Sequence, residues 1–288
     1  MSTNIDLKTI WVLLKDTYLE WSEDKAPRLG AALAYYTLFS IAPLLIIVIA
    51  IVGFVFGQQA VQGEIVDQIG GWVGEGSAKA IQTMIESARE PTSGIVATVV
   101  GVLTLLFGAT GVFSQLKDAL NTVWDVTEKP RGSIMGFIID RLLAFLMVLV
   151  IGFLLLIFLA LSAGISALSN YINALIPGFS YVLQVLNFVI SFAAITLLFA
   201  VIYRVLPDTN IAWGDVWIGA AVTSLLFTIG KTLIGFYLGH VSAGSAYGAA
   251  GSLVVLLIWI YYSAQIFFFG AEFTQVYARK YGSLSQVS

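Results

Sequence analysis

Hydrophobic positions in this chain fall into six long runs separated by short polar segments. The first extends from Ala31 to Phe56; the others cover Ser93–Phe113, Ile138–Ala167, Phe179–Tyr203, Val216–Leu238 and Ala249–Tyr277. At about 1.5 Å per residue, a run of ~26 residues makes a helix of ~39 Å, longer than the ~30 Å hydrocarbon core of a bilayer. The pattern predicts an all-α fold: a polytopic membrane helix bundle of six transmembrane helices, in a single membrane domain covering residues 1–288. Six crossings put both termini on one side.

Between the runs the periodicity changes. In Ile5–Trp21, Ile10, Leu14 and Tyr18 recur every four residues with Lys8, Lys15, Asp16 and Glu20 elsewhere, so an amphipathic helix is expected. A helix lying at the membrane surface and one packed on the end of the bundle both fit this pattern. In Gly57–Thr92, Ile65, Ile69 and Trp72, then Ile81, Met84, Ile85 and Ala88, predict two short amphipathic helices. Leu116, Ala119, Leu120, Val123 and Trp124 give Ser114–Arg131 a helical stripe of its own, suited to hugging the bundle.

Positive charge sets the orientation. Lys8, Lys15, Lys25, Arg28, Lys117, Lys129, Arg131, Arg141, Arg204, Arg279 and Lys280 fall on the side of the termini, and Lys79 and Arg89 on the other. The positive-inside rule therefore predicts cytosolic termini. Composition narrows the class further. With 59% hydrophobic and 11% charged residues, the 288-residue chain leaves little room for a soluble domain. A net charge of −3 argues against a nucleic-acid partner, and the lack of Cys excludes disulfides and thiolate chemistry. The single histidine, His240, precludes HExxH-type metal sites and leaves the scattered serines without a ready base. Gly230-Lys231-Thr232 resembles the end of a P-loop, but Leu225 stands where the first glycine is required. Neither an enzyme nor a bound cofactor or metal is expected. No cleavable signal peptide is expected either, because ~30 mostly polar residues precede an apolar run that is too long.

The candidate functional residues are polar groups at membrane depth. Lys231 lies about 22 Å into its span, where a lysine costs about 2.5–3.5 kcal/mol at mid-membrane, and fits either an anionic substrate contact or a lysine snorkelling to the far surface. Glu272 lies about 34 Å along the last span, near the terminal end, which argues against a Lys231–Glu272 pair. Arg28, Arg141 and Arg204 are expected to be its partners, with Asp24, Asp140, Asp208 and Asp215 at the same level. A structural charge lattice and an ion relay both fit that grouping. Pro43 lacks the amide that would meet the carbonyl of Phe39, which predicts a kink there. Tyr35, Tyr36 and Ser40 are expected to line a vestibule with Glu272. Gly30 with Ala34, and Gly244, Gly248 and Ser252, are spaced by four as in close helix packing, while the small residues around Tyr247 also suit a hinge. Trp213, Trp217, Trp259, Tyr261 and Tyr262 suit interfacial belts or bundle packing.

Several of these blocks together resemble the YihY/BrkB family of bacterial inner-membrane proteins. They are APRLGAALAYYTLFSIAPLL at Ala26–Leu45, YRVLPD at Tyr203–Asp208 with WGDVWIGA at Trp213–Ala220, GKTLIGFYL at Gly230–Leu238, and Ala246–Ala278. The resemblance implies a six-span, multi-pass protein of the inner (plasma) membrane without a soluble catalytic domain. It places Lys231, Tyr247, Gly248, Glu272 and the Pro207–Asp208 pair on recurrent family positions. Family labels include virulence, envelope transport and ribonuclease. The last has no metal-ligand set or basic groove to support it here. The expected function is a transporter or a protein handling lipids or amphipathic anions, with the bilayer as partner. Lys231 would attract the headgroup and Asp24, Arg28 and Glu272 would gate the terminal end. The alternative is a non-transporting scaffold or envelope-assembly factor.

Overall fold

Each long apolar run becomes helix because a chain in hydrocarbon must satisfy every backbone amide internally. In the computed structural model the described residues are 6–88, 95–126, 180–240 and 251–285, with scattered helical positions between 136 and 161. The eight continuous helices among them are α1 (Leu7–Glu23), α2 (Ala26–Phe56), α3 (Gln58–Val73), α4 (Glu75–Ala88), α5 (Ile95–Val123), α6 (Ser180–Val205), α7 (Trp213–His240) and α8 (Gly251–Lys280). No strand occurs among the described residues. The protein is an all-α membrane helix bundle. Segments of α2, α6, α7 and α8 are each long and apolar enough to cross a bilayer. The predicted second span lies in α5, whereas most of the predicted third, with Asp140 and Arg141, lies outside the described residues, as do Tyr247, Gly244 and Gly248.

Local chemistry sets the boundaries. Lys25 takes a left-handed conformation (φ 55°) between α1 and α2, and Pro27 sits in the first turn of α2, where its missing amide costs nothing. Gly57 (φ 87°) ends α2 and Gly74 (φ 89°) ends α3, both in backbone geometry that L side chains rarely adopt. The two short helices expected in Gly57–Thr92 are α3 and α4. They fold back onto the bundle: Ile81 and Ile85 of α4 are fully buried with Ile49 and Val52 of α2, and the Ser77 hydroxyl donates to the Ser252 carbonyl at the start of α8 (3.1 Å).

Two expectations gain detail. Residues 114–123, expected to hug the bundle, are the last turns of α5; Ala119, Leu120 and Val123 are fully buried, so the helical stripe continues the span. On α1 the stripe Ile10, Leu14 and Tyr18 faces outward with Trp11 (69% exposed), while Leu13 and Thr17 are buried. Leu13 packs with Phe273 and Val276 of α8. A polar residue could join the buried face because the Thr17 hydroxyl bonds back to the Leu13 carbonyl at 2.7 Å.

The central packing is between α7 and α8. A Cβ on Gly219 would lie 2.7 Å from the Cβ of Thr274, and one on Gly270 would lie 2.8 Å from that of Thr223. The antiparallel helices thus exchange Gly and Thr at spacing four, each Thr hydroxyl bonding to its own helix's glycine carbonyl at 2.7 Å. Tyr203 of α6 completes the joint, donating to the Phe267 carbonyl (2.7 Å) beside the Thr223 hydroxyl (3.1 Å). Between α2 and α5, Gly108 makes room for Pro43: a Cβ there would lie 2.8 Å from the proline Cγ. The helix α2 runs unbroken through Pro43.

Candidate functional site

Two features stand out where α1 and α2 meet α8: a carboxylate cluster and a lateral groove. Glu272 is fully buried, at the level where Gly219 meets Thr274 and Thr223 meets Gly270. Two of the three expected arginines are not beside it, and the third, Arg141, lies outside the described residues. Arg28 is exposed, and Arg204 contacts the Asn210 side-chain oxygen at 3.4 Å. Asp24, Glu20 and Asp125 are the charged groups around it. Among the described residues neither oxygen of Glu272 meets an N–H or O–H donor. Its contact with Asp24 is therefore a hydrogen bond only when one of the two carboxyls carries a proton.

Asp24 lies just outside the span. Burial pushes its carboxyl up to about 6, reinforced by the charge of Asp125 and those of Glu20 and Glu23, while the contact with Glu272 pulls it down. Asp125 takes φ 50° after the end of α5, which lets its carboxylate accept from Gln275 Nε2 (3.1 Å) and Arg279 Nη2 (2.6 Å) on α8. Gln275 is 1% exposed, and its Oε1 has no partner among the described residues.

The other charges at this end tie helices together. Asp208 accepts from Lys117 Nζ (2.8 Å) and Asn121 Nδ2 (3.1 Å), joining the segment after α6 to α5. Asp215 accepts from the Ser283 amide (2.9 Å) and hydroxyl (2.7 Å). Lys280 pairs with Asp16 of α1. These contacts form a lattice in which, among the described residues, Asp24 and Glu272 stand apart as a pair without a cation.

The groove opens on the side of the bundle, with a cavity volume of about 340 Å³. Leu226, Ile229, Gly230 and Leu233 of α7 form one wall, Tyr262, Gln265 and Phe269 of α8 the other, and Trp21 of α1 closes one end. The lining is mostly apolar, and three polar atoms of its residues are buried without a partner among the described residues: Trp21 Nε1, Gln265 Nε2 and Gln265 Oε1. Gly30 allows this arrangement, since the Gln265 amide occupies the space a Cβ there would take.

The remaining sequence candidates lie elsewhere. Lys231 is half-buried and follows Gly230, but it is not part of the groove lining. At 100° per residue it lies roughly 150° around α7 from the groove centre. Tyr35 (59% exposed) and Phe39 (65%) face outward, and Ser40 is buried opposite Gly111. The vestibule expected between Tyr35, Tyr36 and Glu272 is therefore absent among the described residues. Trp213 and Trp217, 6.4 Å apart, are about half-exposed at the start of α7, whereas Trp259 packs on Phe227 inside the bundle. Sequence reasoning missed Trp21, Gln265 and Asp125. Gln265, an amide in an apolar stretch of the last span, was the available signal.

The sequence profile of the family described as "Virulence factor BrkB" matches residues 17–287. A "UPF0761 membrane protein" of Pseudomonas aeruginosa (strain LESB58) is 29% identical over 257 residues, covering 86% of this chain and 58% of that protein. One from Alcanivorax borkumensis is 28% identical over 269 residues, covering 92% and 59%. "UPF0761 membrane protein MS0032" of Mannheimia succiniciproducens is 27% identical, covering 90% of this chain and 87% of that protein. The chain thus spans less than two thirds of the length of several of these relatives. No solved structure matches it.

Proposed function

This chain belongs to the BrkB family of membrane proteins, and we propose that it binds membrane lipids laterally and handles them at the inner membrane, with its termini in the cytosol and six spans. The observation that carries this reading is the groove of about 340 Å³ between α7 and α8. It lies within helices suited to cross the bilayer, so its mouth faces acyl chains rather than water. A pocket of this volume and apolar lining suits part of an amphipathic molecule. Trp21 Nε1 and Gln265 Nε2 are buried donors that need acceptors, and the ester or amide carbonyl at the head of an acyl chain supplies one.

A direct anionic contact through Lys231 finds no support in this groove. A non-transporting scaffold is the second reading. The reciprocal Gly–Thr contacts of α7 and α8 favour it, because they lock together the helices that a transport cycle would separate.

Reconstitution tests the proposal. Vesicles of phosphatidylethanolamine and phosphatidylglycerol containing the full chain should move a fluorescent phosphatidylglycerol between leaflets faster than empty vesicles. Gly230→Leu, which fills the groove, should abolish the difference. Retained lipid binding without movement would select the scaffold reading. Equal binding and movement in wild type and Gly230→Leu would rule out the groove as the site.

A further inference from the structure

The carboxylate cluster and the groove are joined by one short piece of chain. Trp21, which closes the groove, and Asp24, which contacts Glu272, are three residues apart at the end of α1. We propose that Asp24 and Glu272 form a proton-binding latch: a shared proton holds the end of α1 down, keeping Trp21 over the groove, and its loss releases both. The inference rests on the lateral groove being the lipid site.

Three observations carry it. Glu272 is fully buried against Asp24 with no donor on either of its oxygens among the described residues, so the two carboxyls attract with a proton between them and repel without one. Gln275, from a different turn of α8, directs its carboxamide into the same cluster. Its Nε2 is on Asp125, and its buried Oε1 is an acceptor without a donor. An unfilled acceptor among carboxylates calls for a proton-bearing group there. The third observation is the way α1 is held. Asp16 pairs with Lys280, and Leu13 packs with Phe273 and Val276, so its first half is fixed independently of the latch. Beyond Asp24 the chain turns through Lys25 in a left-handed conformation unusual for a non-glycine residue, a natural pivot.

The surrounding charges set the sign. Glu20 and Glu23 on α1 and Asp125 after α5 all oppose a second negative charge at the pair. Lys25 and Arg28 are exposed, Arg279 is engaged by Asp125, and Asp215 at the start of α7 is held by Ser283. The Asp24 carboxyl is pushed up to about 6, and its ionisation still leaves one proton on the pair, so the latch stays closed through that range and opens only at higher pH, where the shared proton leaves.

Because the chain contains no Cys, two introduced cysteines give clean labelling. Ser22→Cys on α1 and Leu225→Cys on α7, both exposed and outside the groove lining, would carry spin labels in the full chain in phosphatidylglycerol-containing nanodiscs. We expect the distance between them to lengthen only above pH 6, once the shared proton leaves, and to stay at its low-pH value in Asp24→Asn and in Glu272→Gln. A distance independent of pH in the otherwise wild-type pair would overturn the latch, as would a shift that persists in Asp24→Asn. Asp24 is only partly buried, so its substitution gives a readout even if Glu272→Gln fails to fold. Lipid movement without a change in distance defeats the latch alone. A change in distance without lipid binding defeats the groove reading and leaves the proton switch standing.

Discussion

Replacing Gly270 with Ala tests the packing that positions both features. The added Cβ would lie 2.8 Å from the Thr223 Cβ, against at least 3.4 Å for ordinary contact. That Cβ is the stem of a β-branched residue whose hydroxyl is bonded to the Gly219 carbonyl and lies beside Tyr203. It cannot rotate away, so α7 and α8 must separate by about 0.6 Å or more. Overpacking of this kind costs about 1–3 kcal/mol. Part of that cost passes to the neighbouring Gly219–Thr274 contact, since the helices are rigid. Equilibrium unfolding in mixed micelles should show the loss. Adding Thr223→Gly, which removes the opposing Cβ, should recover much of it, giving a coupling energy of about 1 kcal/mol or more in a double-mutant cycle. An unchanged midpoint for Gly270→Ala, or purely additive effects, would refute the close approach.

Further expectations follow from single contacts. Tyr203→Phe should destabilise the fold by about 1–2 kcal/mol in the same assay, because it leaves the buried Phe267 carbonyl without the tyrosine's hydroxyl donor. Gln265→Met removes two buried atoms without partners at similar volume, so it should stabilise the lipid-free protein by about 1 kcal/mol while weakening lipid retention in native mass spectrometry. Asp24 has a folded-state value raised from 3.8 to about 6, so its contribution to stability is fully present below pH 3.8 and is lost as pH rises through about 6. Asp24→Asn should flatten that part of the stability–pH curve, and an unchanged slope would show that Asp24 is not the group responsible. Gly108→Leu should separate α2 from α5, since its side chain would meet the ring of Pro43, and lower the unfolding midpoint.

Membrane helices write their existence into the sequence because hydrocarbon admits no unpaired backbone. The run at Ala31–Phe56 and the runs before Leu238 and Tyr277 therefore became α2, α7 and α8 within a few residues. Which face turns inward is less legible. Lipid and protein interior are about equally apolar, so the outward Ile10–Leu14–Tyr18 stripe of α1 reads like a buried one. Glu272 stood out in the sequence as a carboxylate in an apolar span, but its neighbours Asp24 and Asp125 lie on other elements, and their convergence depends on how α1, α5 and α8 pack. The Gly–Thr exchange was present as two spacings of four, Gly219 to Thr223 and Gly270 to Thr274. Their pairing depends on the antiparallel register of α7 and α8, which no single helix reveals. The groove needed three helices to converge on Gln265, and only the buried amide hinted at it.

The groove is tested most directly by crosslinking. A phosphatidylglycerol carrying a photoreactive group on its acyl chain, activated in nanodiscs with the full chain, should label Leu233, Tyr262 and their neighbours, and Gly230→Leu should remove that labelling. Labelling spread over outward residues such as Leu142, Phe153 and Leu257, and unaffected by Gly230→Leu, would contradict a lipid site between α7 and α8.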